Sequence, residues 1–157
     1  MLTIKRLLAG LLLMSVAVAA SAQERKLVYD LKLGNADRVV GYLFDDIKYN
    51  AAYYKEHGIE FRAAVVISGQ AYKFFVEDIE SSPYKNDPEL AAIQARFRPI
   101  LEELVEDYGV EFRMCVVGME RQNLTVDLLY PFVEAEKSQP IYLTDYQTEG
   151  YAYLPLH

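Results

Sequence analysis

The chain has 157 residues, a formal charge of −7, one cysteine and 13 tyrosines, and 52% of its residues are apolar. That length holds one domain with a real core. The acidic balance excludes tracking along a nucleic-acid backbone, which needs a basic stripe, and a single cysteine excludes an internal disulfide.

The first 22 residues read as an export signal rather than as fold. Lys5 and Arg6 form a short basic region, Leu7 to Ala19 an apolar core, and Ala20-Ser21-Ala22 the small-x-small pattern of a cleavage site. The apolar run is short for a bilayer span, which favours cleavage over anchoring. No cysteine follows the cleavage site to take a lipid. The expected mature protein is one domain, residues 23–157, in the periplasm or secreted. Removing Lys5 and Arg6 leaves 14 basic and 23 acidic residues, a formal charge of −9. No basic cluster or basic amphipathic helix remains, so no membrane association is expected after cleavage.

Lys26 to Leu31 is apolar and β-prone and reads as a first strand. Gly34-Asn35-Ala36-Asp37 offers a turn and a helix cap. Val39, Val40, Leu43, Phe44, Ile47, Ala51 and Tyr54 then recur at helical spacing up to a stop at His57-Gly58. Glu60 to Ile67 is a second strand whose Ala63 to Ile67 is apolar on both faces, as a parallel strand covered on both sides requires. After Ser68-Gly69-Gln70 a short helix packs through Ala71, Tyr72, Phe74 and Phe75. Ser81 to Pro88 is a loop, and Asp87-Pro88 is read as cap and first residue of an amphipathic helix carrying Leu90, Ile93, Phe97, Leu101, Leu104 and Tyr108. Gly109 ends it.

Val110 to Val117 is the third strand and holds Cys115. Gln122 to Tyr130 is weakly helical up to Pro131. A short strand near Val133 to Glu136, a helix over Ile141 to Gln147 and a last strand at Tyr151 to Leu154 complete the chain. Strands alternating with helices give an α/β fold: a three-layer α/β/α sandwich around a mainly parallel five-stranded sheet, joined by right-handed crossovers.

The piece Gly58-Ile59-Glu60-Phe61-Arg62-Ala63-Ala64-Val65-Val66 is echoed by Gly109-Val110-Glu111-Phe112-Arg113-Met114-Cys115-Val116-Val117. Both follow a helix and its glycine stop, so they read as equivalent helix-to-strand units. In this register Cys115 takes the place of Ala64, near but not beyond the carboxyl end of its strand.

Open α/β sheets bind ligands where strands end at their carboxyl edge. That edge collects Gly34-Asn35, Ser68-Gly69-Gln70, Cys115 with Val117-Gly118, and Ser138-Gln139. Backbone N–H groups there stabilise an anion, and a thiolate or persulfide is one. Free cysteine is also a small buried hydrophobe in many folds. His57 falls at the far end of its helix, away from this edge, so no Cys–His dyad is expected. Two separated histidines and one cysteine give no metal signature, and isolated Gly34 and Gly69 give no phosphate or dinucleotide loop. No cofactor is expected. The acidic pairs Asp45-Asp46, Glu77-Asp78 and Glu102-Glu103 diverge on their helices and read as solvated faces. Tyr53, Tyr54, Tyr151 and Tyr153 read as packing or subunit contacts.

The order of elements, with Lys26-Leu27-Val28-Tyr29-Asp30, His57-Gly58-Ile59-Glu60, Val65-Val66-Ile67-Ser68-Gly69, Tyr108-Gly109-Val110-Glu111-Phe112 and the tail Thr148 to Tyr153, resembles the DsrE/DsrF-like sulfur-relay family, which includes the TusD sulfurtransferase subunits. The resemblance covers nearly the whole mature chain. It implies a flavodoxin-like sandwich and assembly into homotrimers or hexamers. It also implies a cysteine on or just after the third strand that carries sulfur as a persulfide between a donor and an acceptor protein. Cys115 matches that cysteine, and Arg121 falls where relatives often have a basic residue. The polar run Met119 to Asn123 and the Val117-Gly118 pair depart from the patterns of cytoplasmic and exported relatives.

Two functions follow from this reading: a periplasmic sulfur carrier or sulfurtransferase working through Cys115, or a non-catalytic oligomeric binding or scaffold module with an inert cysteine. Asn35, Ser68, Gly69, Gln70, Gly118 and Arg121 are the expected binding residues.

Overall fold

The computed structural model describes residues 23–157, and the expected signal segment, 1–22, lies outside the described residues. Strand β1 is Glu24–Leu31, and Asn35 opens the first helical run by accepting from the Arg38 N–H at 2.9 Å. That run is α1 (Ala36–Val39), a π-helical turn (Val40–Phe44) and α2 (Asp45–Glu56). Inserting a π turn shifts the helical phase, and Val39, Leu43, Phe44 and Ile47 all reach the core. Strand β2 is Glu60–Ile67, a 3₁₀ turn covers Ala71–Phe75, and α3 is Leu90–Glu106. Strand β3 is Glu111–Met114, α4 is Val116–Arg121, a second 3₁₀ turn covers Val126–Leu128, β4 is Val133–Glu134, α5 is Gln139–Thr148 and β5 is Ala152–Leu156.

Among the described residues five strands form one parallel sheet, in the order β4-β3-β2-β1-β5. The chain steps one way from β1 to β4 and then crosses back past β1 to β5. Right-handed connections therefore put α1 to α4 on one face and α5 on the other. Side-chain alternation builds the two cores to match. Tyr29, Leu31, Val65, Ile67, Phe112 and Met114 face the α1 to α4 side, whereas Val28, Ala64 and Val66 meet Tyr142, Tyr146 and Tyr151 on the α5 side. In α3, Leu90, Phe97, Leu101 and Leu104 are buried on one stripe, each contributing about 1.5–3 kcal/mol of burial free energy. The fold is the three-layer sandwich of the flavodoxin-like class, with a strand order of its own. Among the described residues no helix is long and apolar enough to cross a membrane.

Three local expectations need correction. Asp87 does not cap α3: its Oδ1 accepts from the Glu89 N–H at 3.1 Å and its Oδ2 pairs with Lys73 Nζ, so the helix begins at Leu90 behind Glu89. The helical residues after β3 come earlier than Gln122, because α4 starts directly behind Cys115. Asp46 is not merely part of a solvated face, since its carboxylate accepts from the buried Tyr29 hydroxyl at 2.8 Å.

The echo also has a different meaning in space. Gly58 and Gly109 take the same left-handed conformation, φ 67° and 63°, which only glycine adopts freely. However, Glu111 pairs with Ala64 rather than with Glu60. The second unit therefore enters the sheet four residues further along, about 13 Å at the usual strand rise. Strand β3 reaches the carboxyl edge after four residues, and Cys115 lies one residue beyond its last pair, Ile67 with Met114. Cys115 is thus level with Ser68, not with Ala64.

Candidate functional site

The carboxyl edge brings β1, β2 and β3 out at one level. Behind β2, Gly69 turns in the left-handed region (φ 62°), and a Cβ there would stand 3.1 Å from Lys32 Cβ. That close turn sends the chain into the Ala71–Phe75 3₁₀ segment and delivers Tyr72 beneath the end of β3. Behind β3, the backbone of Cys115 is fixed on both sides. Its N–H donates to Ile67 O at 3.0 Å, and its carbonyl accepts from the Tyr72 hydroxyl at 2.9 Å and from the Met119 N–H at 3.2 Å. The Val116 N–H donates to Lys137 O at 3.1 Å. Gly118 completes the fit: a Cβ there would fall 1.9 Å from the Tyr72 hydroxyl oxygen. The tyrosine can pin Cys115 only because residue 118 has no side chain.

Cys115 is 8% exposed and borders a cavity of about 380 Å³, together with Lys32, Ser68, Gly69, Tyr72, Val117, Gly118, Arg121, Gln122 and Gln139. Burial, then hydrogen bonding with Cys115, pushes the Tyr72 phenol far above its ordinary range, so it stays a neutral donor. Ser68 is 6% exposed and its hydroxyl is buried with no hydrogen-bond partner among the described residues. An unpaired buried hydroxyl costs about 1–3 kcal/mol. Among the described residues Arg121, which is exposed, forms no ion pair with a carboxylate, and its charge is felt at the Tyr72 hydroxyl.

A buried carboxylate anchors the other wall. Asp30 is 1% exposed, on the α5 face of β1. It accepts from the Gln139 amide, from Tyr153 Oη at 2.9 Å, from Lys32 Nζ at 3.2 Å, and stands 3.2 Å from His157 Nε2. Burial alone would raise its pKa. The hydrogen bonds from Tyr153, His157, Gln139 and Lys32 outweigh it and hold Asp30 below the usual aspartate range. Two of those partners, Lys32 and Gln139, also line the Cys115 cavity, so Asp30 fixes the positions of that wall.

Of the residues singled out in the sequence, Cys115, Ser68, Gly69, Gly118 and Arg121 meet around this cavity, and Gln139 joins them. Gln70 does not. It lies in an adjoining hollow with Lys73 and Tyr84, its side chain packed so tightly over Gly34 that a Cβ there would fall 2.1 Å from the Gln70 side-chain oxygen Oε1. Asn35 does not either, because its side chain caps α1 and it borders a third hollow with Asp37 and Arg96. His57 ends α2 at the opposite end of the sheet, with its Nδ1 2.7 Å from Tyr53 O. Tyr151 packs edge-on against Tyr146, whereas Tyr53 remains 47% exposed. Sequence reasoning missed Asp30, Lys32 and Tyr72 as site residues. The available signal was a lone acid in the otherwise apolar second half of β1, one residue from its carboxyl end.

No protein-family model matches the chain. An uncharacterised protein of Aquifex aeolicus is 27% identical over 134 residues, which cover 85% of this chain. The chain spans 57% of the length of that relative. Among solved structures, a protein of unknown function from Methanobacterium thermoautotrophicum superposes with a TM-score of 0.65 at 20% identity, covering 84% of this chain and 99% of the other. That likeness bears on the fold.

Proposed function

We propose that the protein is an exported sulfur carrier in which Cys115 holds sulfur as a persulfide. The observation that carries this reading is the position of Cys115. The residue is clamped through its backbone just past the end of β3, and it borders a cavity shared with a buried, unpaired Ser68 hydroxyl and with Arg121. A thiolate attacks the terminal sulfur of a donor persulfide, R–S–SH, forming Cys115–S–SH and releasing R–S⁻. An acceptor thiolate then removes the outer sulfur and restores the Cys115 thiolate. Arg121 and Ser68 line the same cavity, where a cation and a hydroxyl donor can meet the outer sulfur of the persulfide. The Tyr72 clamp keeps the residue at the cavity wall throughout the cycle.

Export rests on the N-terminal sequence pattern, and assembly into homotrimers or hexamers rests on the family resemblance. Donor and acceptor are thiol proteins or small sulfane-sulfur compounds. The test is intact mass after incubation of the mature protein with inorganic polysulfide. The reading expects a reducible adduct of about 32 Da per sulfur on wild type and none on Cys115→Ser. An unmodified wild-type mass, or an equal adduct on the variant, would overturn it. The 8% exposure of Cys115 favours the scaffold reading instead, in which the thiol is inert core, and that unmodified mass is its signature.

A further inference from the structure

We infer that the Cys115 cavity is a small-oxyanion site, and that the sulfur donor it takes directly is of the thiosulfate or thiosulfonate class. The inference rests on the sulfur-carrier reading for the reaction but not for the binding. Three features of the cavity wall point to an oxyanion. Arg121 is a cation with no carboxylate partner among the described residues, and unlike Arg25, Arg38, Lys55 and Lys85, which also lack one, it lines the Cys115 cavity. The Ser68 hydroxyl is buried and has no hydrogen-bond partner among the described residues, so a ligand oxygen in the cavity would satisfy it. Lys32 reaches the same cavity with its ammonium 3.2 Å from Asp30, and its side chain stays 35% exposed, so donors remain free.

The Asp30–Lys32 pair brings no net charge, which makes Arg121 the source of the attraction and Lys32 a directional donor. A cavity of about 380 Å³ holds a small anion with ease. A sulfonyl group offers several acceptor oxygens to a guanidinium, a hydroxyl and an ammonium, and it leaves the outer sulfur free to meet the thiolate. A neutral disulfide offers no such oxygens.

With thiosulfate the step balances as a sulfur transfer. The Cys115 thiolate attacks the outer sulfur of S–SO₃²⁻, a new S–S bond forms, and the old one breaks. The electron pair leaves with sulfite, SO₃²⁻, and Cys115–S–S⁻ remains, with a total charge of −3 before and after. Arg121 stays in contact with the departing sulfite.

Two measurements on the mature protein test the site separately from the reaction. The first compares alkylation of Cys115 by iodoacetate and by iodoacetamide, read by mass; the two share a leaving group and differ in charge. The iodoacetate-to-iodoacetamide rate ratio should fall about tenfold in Arg121→Gln, as loss of one charge-assisted contact implies. Sulfate should slow wild-type alkylation by either reagent. Ser68→Ala should fold at least as stably as wild type, because its hydroxyl has no partner to lose, yet weaken the sulfate protection several-fold.

The second measures persulfide formation from thiosulfate against that from polysulfide. Adducts from both donors, with the thiosulfate rate falling several-fold more than the polysulfide rate in Arg121→Gln, support the inference. An unchanged alkylation ratio and no sulfate protection overturn the oxyanion site, even if polysulfide still loads Cys115. A charge-dependent ratio with no adduct from either donor retains the oxyanion site and overturns the sulfur donor assignment and the carrier reading with it.

Discussion

The two ends of the parallel sheet differ in kind, and the larger hollow is at the end without buried chemistry. The amino end carries an opening of about 690 Å³ lined by Lys55, Gly58, Ile59, Glu60, Phe61, Asp107 and Tyr108, beside surface ion pairs such as Glu24–Arg62 at 2.7 Å. The Cys115 cavity at the carboxyl end is only about 380 Å³, but its walls include the thiol, the unpaired Ser68 hydroxyl, the Tyr72 clamp and, behind Lys32 and Gln139, the buried Asp30. Volume alone does not make a site. What marks one is polar groups held where water cannot reach them, because each has a desolvation cost that only a partner or a ligand offsets.

That contrast sets the size of each expected effect. Asp30→Ala should cost about 2–3 kcal/mol in urea denaturation, since it leaves the partners of a buried, charge-assisted network unmatched while Lys32 can still turn to solvent. At the amino end, Glu60→Ala should stay within about 0.5 kcal/mol, because its pair with Arg62 is exposed. Equal losses at both ends would break the comparison.

The glycines sharpen it. Gly118→Ala drives a methyl into the Tyr72 hydroxyl and should cost about 1–3 kcal/mol by overpacking. Gly58→Ala meets no atom within 4 Å and should cost only about 1 kcal/mol, from its left-handed backbone. Tyr72→Phe removes one buried hydrogen bond to the Cys115 carbonyl, so a loss of about 1 kcal/mol is expected. The same change should alter the native reactivity of Cys115, which a purely structural tyrosine elsewhere in the core would not do.

Acid denaturation gives the smallest and most specific signal. The folded-state pKa of Asp30 lies below its unfolded value, so the native state binds fewer protons. Its contribution is complete above the ordinary aspartate range and is lost as pH falls through the depressed folded value. Asp30→Asn should therefore be less stable near neutrality and show a shallower loss of stability on acidification. An acid limb identical to wild type would remove Asp30 from the account.

Much of this architecture was legible in local pattern. The period of Leu90, Phe97, Leu101 and Leu104 defines α3, and Gly58 and Gly109 mark the helix ends because both take the left-handed turn. The apolar run Ala63 to Ile67 states that β2 is covered on both faces. The register of β3 was not legible, since the echo of Gly58 by Gly109 describes the entry to each strand and not how far along the sheet that entry lies. Asp30 was hidden for a similar reason: Gln139, Tyr153 and His157 come from 109 to 127 residues away, so no window around Asp30 shows why a carboxylate belongs there. Asn35 and Gln70 were grouped with Cys115 by sharing an edge. Their side chains are occupied by a helix cap and by packing over Gly34.

The central claim is that Cys115, although 8% exposed, reacts from the native state at the cavity it borders. The direct measurement is the rate of thiol modification at rising urea concentrations below the unfolding transition. The account expects modification at zero urea with a rate that stays flat until global unfolding begins. A rate that is negligible in native conditions and climbs with the same denaturant dependence as global unfolding would contradict it and leave Cys115 a core residue.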